Sequence, residues 1–304
     1  MQDDQSDFIP VISDDSDDAP LEVSAGEVLP ILPLRNMVLF PGVVMPVSIA
    51  RNKSLRLVRE VYGKDGLVAV ITQKDMKVED PRRDDLYPVG TIAQIIRILE
   101  MPDNSTTVIL QGRKRFHLGD IVEQDPYLKG QVTPLTDKVP SDKNREFEAL
   151  REALKDLAGK IIQNSGTIPQ EMSFAIRNIE NPVFFVNFIC SNFGLKVLDK
   201  QTLLEINSLK DRSYMLLELL TKESQLLEIK ANIQSKARED IDKQQREYFL
   251  HQQMKTIQDE LGGGTNDLEI AEIKEKAQTK KWNNEVKAIF EKEVAKLERM
   301  HPQS

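Results

Sequence analysis

The sequence predicts an α+β chain: a small, curved β-rich lobe, then an α-helical bundle lobe, then a long protruding α-helix. Three observations predict it. Twelve of the 15 prolines and eight of the 14 glycines fall within the first 140 of the 304 residues, where they punctuate short elements. Apolar residues at helical spacing begin directly after that point. From Leu195 to Leu261, 67 consecutive residues contain neither proline nor glycine, a composition that permits long helices. The expected ranges are an acidic tail at 1–28, the β-rich lobe at 29–137, the bundle lobe at 138–213, the long helix at 214–261, and a linker with further helix at 262–304.

In the first lobe, Leu67–Thr72 (LVAVIT) is a strand candidate rich in Val and Ile, introduced by Gly66. Thr91–Glu100 and Thr106–Gln111 flank Met101–Ser105 (MPDNS), whose Pro, Asp and Asn suit a hairpin loop. Arg113–Glu123 and Tyr127–Leu135 add further strand candidates. Lys53–Tyr62, with Leu55, Val58 and Tyr62 at helical spacing, is the one helix among them. Several short strands with one helix suggest a strongly curved sheet or partly open barrel.

The bundle lobe opens with an amphipathic helix over Asp142–Gln163, where Phe147, Leu150, Leu154, Leu157 and Ile161 share one face. Asn181-Pro182 reads as the start of the next helix, with proline near the first helical position. Val183–Phe193 is apolar almost all round, as expected of a helix buried in a bundle. Asp199–Asn207 and Asp211–Leu220 read as short helices capped by their aspartates. The long helix follows, Leu-rich at Leu216, Leu217, Leu219 and Leu220 and then nearly devoid of apolar residues between Lys230 and Glu247. A stripe that thin predicts a helix in solvent or against partners along one narrow seam. Gly262–Gly264 is expected to end it, with charged helices over Asp267–Gln278 and Lys281–Met300 beyond.

The net charge of -8 is concentrated at one end. Residues 1–28 hold nine acidic residues and no Lys or Arg, so the other 276 sum to +1. Such a tail is self-repelling and reads as disordered. The nearly neutral remainder supplies no strong field for nucleic acid or an anionic membrane. No apolar run approaches the ~20 residues of a membrane helix. The acidic start is unlike a signal peptide, and the lone Cys190 fits a reducing compartment, so a cytoplasmic location is expected.

Catalytic patterns are missing from the sequence. Gly262–Gly264 follows a helix and precedes Thr265-Asn266-Asp267, so it cannot cradle phosphate as a Walker loop does. His117, His251 and His301 are far apart and lack the convergent donors a metal needs. Cys190, inside an apolar helix, reads as an inert buried thiol. Arg113–Phe116 (RKRF) is the best basic run and reads as a solvated strand end. No catalytic, cofactor-binding or metal-binding residue is assigned.

What remains is binding. Leu39–Val47 (LFPGVVMPV) sets Phe40, Val43, Val44 and Met45 between prolines. These residues either fill the sheet core or line a partly exposed apolar groove for non-native chains. Phe184, Phe185 and Phe188 pose the same choice, with core favoured. Tyr248, Phe249 and Met254 lie on an otherwise polar helix and read as contacts with another subunit, another domain or a client.

Two stretches resemble a known family. Leu32–Pro46 (LPLRNMVLFPGVVMP) resembles the opening of the N-terminal domain of Lon, the ATP-dependent protease of the AAA+ class. Gln245–Gly262 (QREYFLHQQMKTIQDELG) is similar to the long-helix motif leading toward the ATPase module of that family. Gly112–Phe116 (GRKRF) and Asp199–Leu204 (DKQTLL) fall between them in the expected order, so the resemblance spans about residues 29–300. It implies a β-rich lobe, a helical lobe and a long helix joining them to an AAA+ ring. It further implies homohexamers that recognise unfolded, damaged or tagged proteins, with ATP and Mg²⁺ serving the ATPase domain and a Ser-Lys dyad the protease domain. Neither the Walker loop nor the dyad occurs in these residues, so the resemblance implies the amino-terminal portion of a Lon protease, non-catalytic in itself. A scaffold that oligomerises through the long helix and holds no client is the alternative.

Overall fold

The computed structural model describes residues 23–63, 66–101, 105–141, 143–260 and 263–298. Most of the expected acidic tail, the centre of the Met101–Ser105 loop and the first glycine of the 262–264 run lie outside the described residues. Six strands and eight α-helices are present among those described. The first part holds β1 (Glu27–Leu34), β2 (Val44–Ile49), α1 (Asn52–Tyr62), β3 (Leu67–Thr72), β4 (Val89–Glu100), β5 (Thr106–Glu123) and β6 (Lys129–Pro134). The second holds α2 (Arg145–Asn164), α3 (Glu171–Asn178), α4 (Pro182–Asn192), α5 (Val197–Glu205), α6 (Leu209–Glu260), α7 (Gly263–Gln278) and α8 (Asn284–Leu297).

The strands form one sheet in the order β2-β5-β4-β3-β1-β6, and β6 pairs again with β5, which closes the sheet on itself. The length of β5 makes closure possible. Its first part, Thr106–Gln111, pairs with β2, and its later part, Phe116–Glu123, pairs with β6, while β4 runs along the other side. Only β1 and β3 are parallel; the other pairings are antiparallel.

The prolines of the first segment have a physical role here. The Gly112 N–H donates to Val43 O at 2.9 Å, so alternate residues of β2 face β5 and Pro46 points its missing donor to the free edge. On β1 the Ile31 N–H donates to Leu128 O at 2.8 Å, which puts Pro33 on that same side, beyond the end of β6. Prolines at unpaired edges blunt strand-to-strand association.

Two apolar clusters fill the barrel. One gathers Leu32, Leu34, Val68, Val70, Val108 and Leu110 against Leu57 and Val58 of α1, and the other gathers Ile31, Ile71, Ile92, Phe116 and Val132. A third cluster is built by α2, α4 and α5 but also takes in Val38, Phe40, Val43 and Val89 from the β part. Sheet and bundle therefore share a core. The described residues up to Ile229 form one compact unit and those from Lys230 onward another, with the boundary inside α6. No helix among the described residues is long and apolar enough to cross a membrane.

Helix starts follow local chemistry. The Asn144 side chain accepts from Phe147 N at 3.1 Å and opens α2. The Asn181 side chain accepts from Val183 N and Phe184 N, with Pro182 in the first turn of α4. The structure differs from expectation in four places. Thr106–Gln111 and Arg113–Glu123 are one strand. Asp199 and Asp211 lie inside the first turns of α5 and α6 rather than at their caps. The expected short helix at Asp211–Leu220 is simply the beginning of α6, helical from Leu209 to Glu260. The sheet also begins at Glu27, so the last two residues assigned to the tail are strand.

Candidate functional site

The LFPGVVMP segment crosses from β1 to β2 against the face of α4. Several bonds fix its path. Thr91 Oγ1 donates to Leu39 O at 2.6 Å, and Asn187 Nδ2 donates to Pro41 O at 3.2 Å. The Gly42 N–H donates to Gly112 O at 2.8 Å. Gly42 has φ +80°, and a Cβ there would stand 2.5 Å from Phe184 Cδ2, so the aromatic ring rests directly on the glycine. On the other flank, a Cβ at Gly112 would stand 2.2 Å from Phe40 O.

This geometry divides the four residues singled out in the segment. Phe40 and Val43 are buried in the shared core. They present no groove surface, because the turn at Gly42 drives both side chains inward between sheet and bundle. Val44 and Met45 on β2 are half-buried. On the opposite side of the turn, Phe184 is also half-buried, its ring 5.7 Å from that of Phe188. Phe185 and Phe188 are core. The partly accessible apolar side chains around the seam are therefore Val44, Met45 and Phe184. Val44 and Met45, being successive in β2, face opposite sides of the strand, with Met45 against the barrel cluster and Phe184 against the bundle cluster.

A polar cluster beneath the seam locks the two lobes together. Arg115 of β5 and Arg212 of α6, both without exposed side-chain surface, approach the same Asp137 carboxylate oxygen at 2.8 and 2.5 Å. Arg212 Nη1 donates to Asn187 Oδ1 at 3.0 Å, and Asn187 in turn holds Pro41. Arg115 Nη1 donates to Leu204 O and Asn207 Oδ1. Burial, and then the neighbouring Arg212, lower the Arg115 pKa to about 10. The expectation that Arg113–Phe116 is a solvated strand end is corrected by the structure, because Arg115 and Phe116 are both buried, Phe116 in the barrel and Arg115 on the other face against the helical lobe. No sequence signal joins Arg115, Asp137, Asn187 and Arg212, which are scattered over nearly 100 residues.

Burial pushes the Cys190 thiol up to about 12, which suits a packed and unreactive group. Lys200 donates to Ser191 O near the α4 C-terminus at 2.6 Å, and burial lowers its pKa.

In the second unit, Tyr248, Phe249 and Met254 stand in solvent at 70%, 61% and 51% exposure, with Leu250 and Ile257 also exposed. By helical spacing Leu250, Met254 and Ile257 share one face of α6, with Tyr248 on the opposite side and Phe249 between them, so exposed apolar side chains surround this stretch of helix instead of forming one patch.

Residues 28–222 match the family model of the ATP-dependent protease La (LON) substrate-binding domain. The chain belongs to the Lon substrate-binding-domain family. It is 55% identical over 279 residues to a Lon protease of Parabacteroides distasonis, covering 92% of this chain and 34% of that protein. It is 49% identical over 312 residues to a Lon protease of Porphyromonas gingivalis, covering 100% of this chain and 37% of that protein. The chain thus spans about a third of the length of these curated relatives. Among solved structures, the N-terminal domain of Mycobacterium avium complex Lon protease superposes with a TM-score of 0.53 at 18% identity, over 64% of this chain and 98% of that one. That likeness speaks to the fold. The Lon substrate-binding match contains the whole seam and the Arg115–Asp137–Arg212 cluster, whereas Tyr248, Phe249 and Met254 lie beyond it.

Proposed function

We propose that this chain is the substrate-recognition and assembly region of an ATP-dependent Lon protease, binding non-native polypeptide without cutting it. The observation that carries the reading is the substrate-binding family match over 28–222, which encloses a half-exposed apolar seam on a rigid two-lobe frame. Folded proteins seldom display large contiguous apolar patches, so partly accessible apolar side chains such as Val44, Met45 and Phe184 offer footholds that favour the exposed apolar segments of unfolded or damaged chains. The proteolytic and ATP-driven steps belong to AAA+ and protease domains outside these residues, with ATP and Mg²⁺ as their cofactors and a cytoplasmic homohexamer as the working assembly.

The test is a titration of the full chain with one client in a permanently unfolded and a native form. Binding of the unfolded form alone, weakened by Met45→Asp, is the expected result; equal affinity for the two forms defeats the reading. A second reading, a scaffold that associates through α6 and holds no client, is favoured by the exposed Tyr248 and Phe249. It requires Tyr248→Ala with Phe249→Ala to abolish self-association in sedimentation while client binding stays unmeasurable throughout.

A further inference from the structure

Between α7 and α8, along their connection, lies a cleft of about 800 Å³. Its floor is apolar: Trp282 meets Phe290 edge-on with ring centroids 4.8 Å apart, and Val294 is buried beside them. Its walls are mostly basic, with Lys274, Lys280, Lys281 and Lys287 set against Glu291 and Glu298. Lys274 is paired with Glu298 at 2.5 Å, whereas Lys280, Lys281 and Lys287 have no ion pair among the described residues. A complementary ligand needs a short apolar run for the floor and carboxylates on both sides for the lysines.

Such a peptide exists in the chain itself. Phe8–Ile12 (FIPVI) is preceded by Asp3, Asp4 and Asp7 and followed by Asp14, Asp15, Asp17 and Asp18, with no Lys or Arg in residues 1–28. Five extended residues span ~17 Å, and the α8 wall from Asn284 to Glu298 runs ~21 Å, so the apolar run fits the floor with its aspartates reaching the rim. We propose that the α7–α8 cleft docks this acid-flanked apolar segment from a second copy of the chain. A nucleic acid matches less well, because Glu291 and Glu298 also line the cleft and the edge-on ring pair leaves less free aromatic face for bases.

Trp282 is the only tryptophan, so its emission reports the cleft directly. The host is the 304-residue chain with its seven aspartates between positions 3 and 18 changed to Asn, which weakens competition from its own segment. The probe is a synthetic peptide of residues 1–22. The expected result is a saturable change in Trp282 emission, with affinity reduced at least about tenfold by Lys280→Glu plus Lys281→Glu in the host. The same reduction is expected for a peptide carrying Phe8→Ser, Ile9→Ser and Ile12→Ser. Both lysines are exposed in a connection, so the double variant keeps its fold, as circular dichroism checks. Absence of a saturable signal, or affinity unmoved by the charge reversals, overturns the proposal. Tighter binding of a single-stranded oligonucleotide than of the peptide also overturns it and gives the cleft to nucleic acid. None of these outcomes bears on client binding, which the titration of unfolded and native client reads separately.

Discussion

Replacing Asp137 by Asn should be among the most damaging single polar substitutions in this chain. Asp137 is the shared counter-charge of Arg115 and Arg212, whose side chains have no exposure, while its own is 17% exposed. The amide keeps the size of the carboxylate and removes its charge, so two guanidinium groups are left buried together. Breaking a buried pair this way costs about 3–5 kcal/mol, which approaches the whole stability of many domains. Arg115→Met should be milder, because it also removes a desolvated cation and its repulsion with Arg212, although it forfeits the bonds to Leu204 O and Asn207. Glu218→Gln serves as the control: its pair with Lys222 is 66% exposed on both sides, where ion pairs contribute about 0–1 kcal/mol. The assay is pulse labelling of the single, fully buried Cys190 across a urea series, which reports opening of the bundle core. The expected order of destabilisation is Asp137→Asn, then Arg115→Met, then Glu218→Gln. An Asp137→Asn midpoint equal to that of the control would refute the idea that this cluster ties the lobes.

Further expectations use the same readout. Gly42→Ala must place a Cβ against Phe184 at φ +80°, which costs on the order of 1–3 kcal/mol and displaces the ring, so both the urea midpoint and client affinity fall. In the native fold Cys190 stays unlabelled at neutral pH, because its thiol is pushed up to about 12 and is sealed; rapid labelling without denaturant contradicts the packing of α4. Glu146 accepts from Lys210 and Tyr214 of α6, and these bonds lower its pKa. A carboxylate lowered in the fold stabilises it above the ordinary range of ~4.3 and loses that contribution as pH falls through the folded value. Wild type and Glu146→Gln should therefore differ in urea midpoint at about pH 7 and approach one another as the pH is lowered below the ordinary carboxylate range; a difference constant with pH contradicts the assignment.

Much of the fold can be read before any coordinates. Periodicity marks α2 because its apolar face is uninterrupted, and Asn181-Pro182 marks α4 because the cap and first-turn signals coincide. Leu67–Thr72 coincides with β3 to the residue, bounded by Gly66 and a polar loop. The misreadings have local causes. Gly112 looks like a strand break, yet it is the residue that lets β5 pass within reach of the Phe40 carbonyl. Asp199 and Asp211 resemble caps, yet acidic residues are equally at home inside a first turn, where the helix dipole favours them. The proline-flanked Phe40–Met45 run carries no sign of which side chains turn inward, because that depends on the distant Phe184 and Asn187. Arg115 looks solvated because a basic run carries no record of Asp137 and Arg212 folding over it.

The central claim is that non-native chains are gripped by the apolar surface of the seam and by the exposed apolar side chains of α6. Its most direct test is photo-crosslinking: an unfolded client carrying benzophenone side chains is bound to the full chain, irradiated and mapped. The account predicts attachment concentrated at Val44, Met45 and Phe184, with a second group around Tyr248, Phe249 and Met254, all lost when excess unlabelled unfolded client competes. Attachment spread evenly over the surface, or confined to polar faces away from both groups, would contradict it.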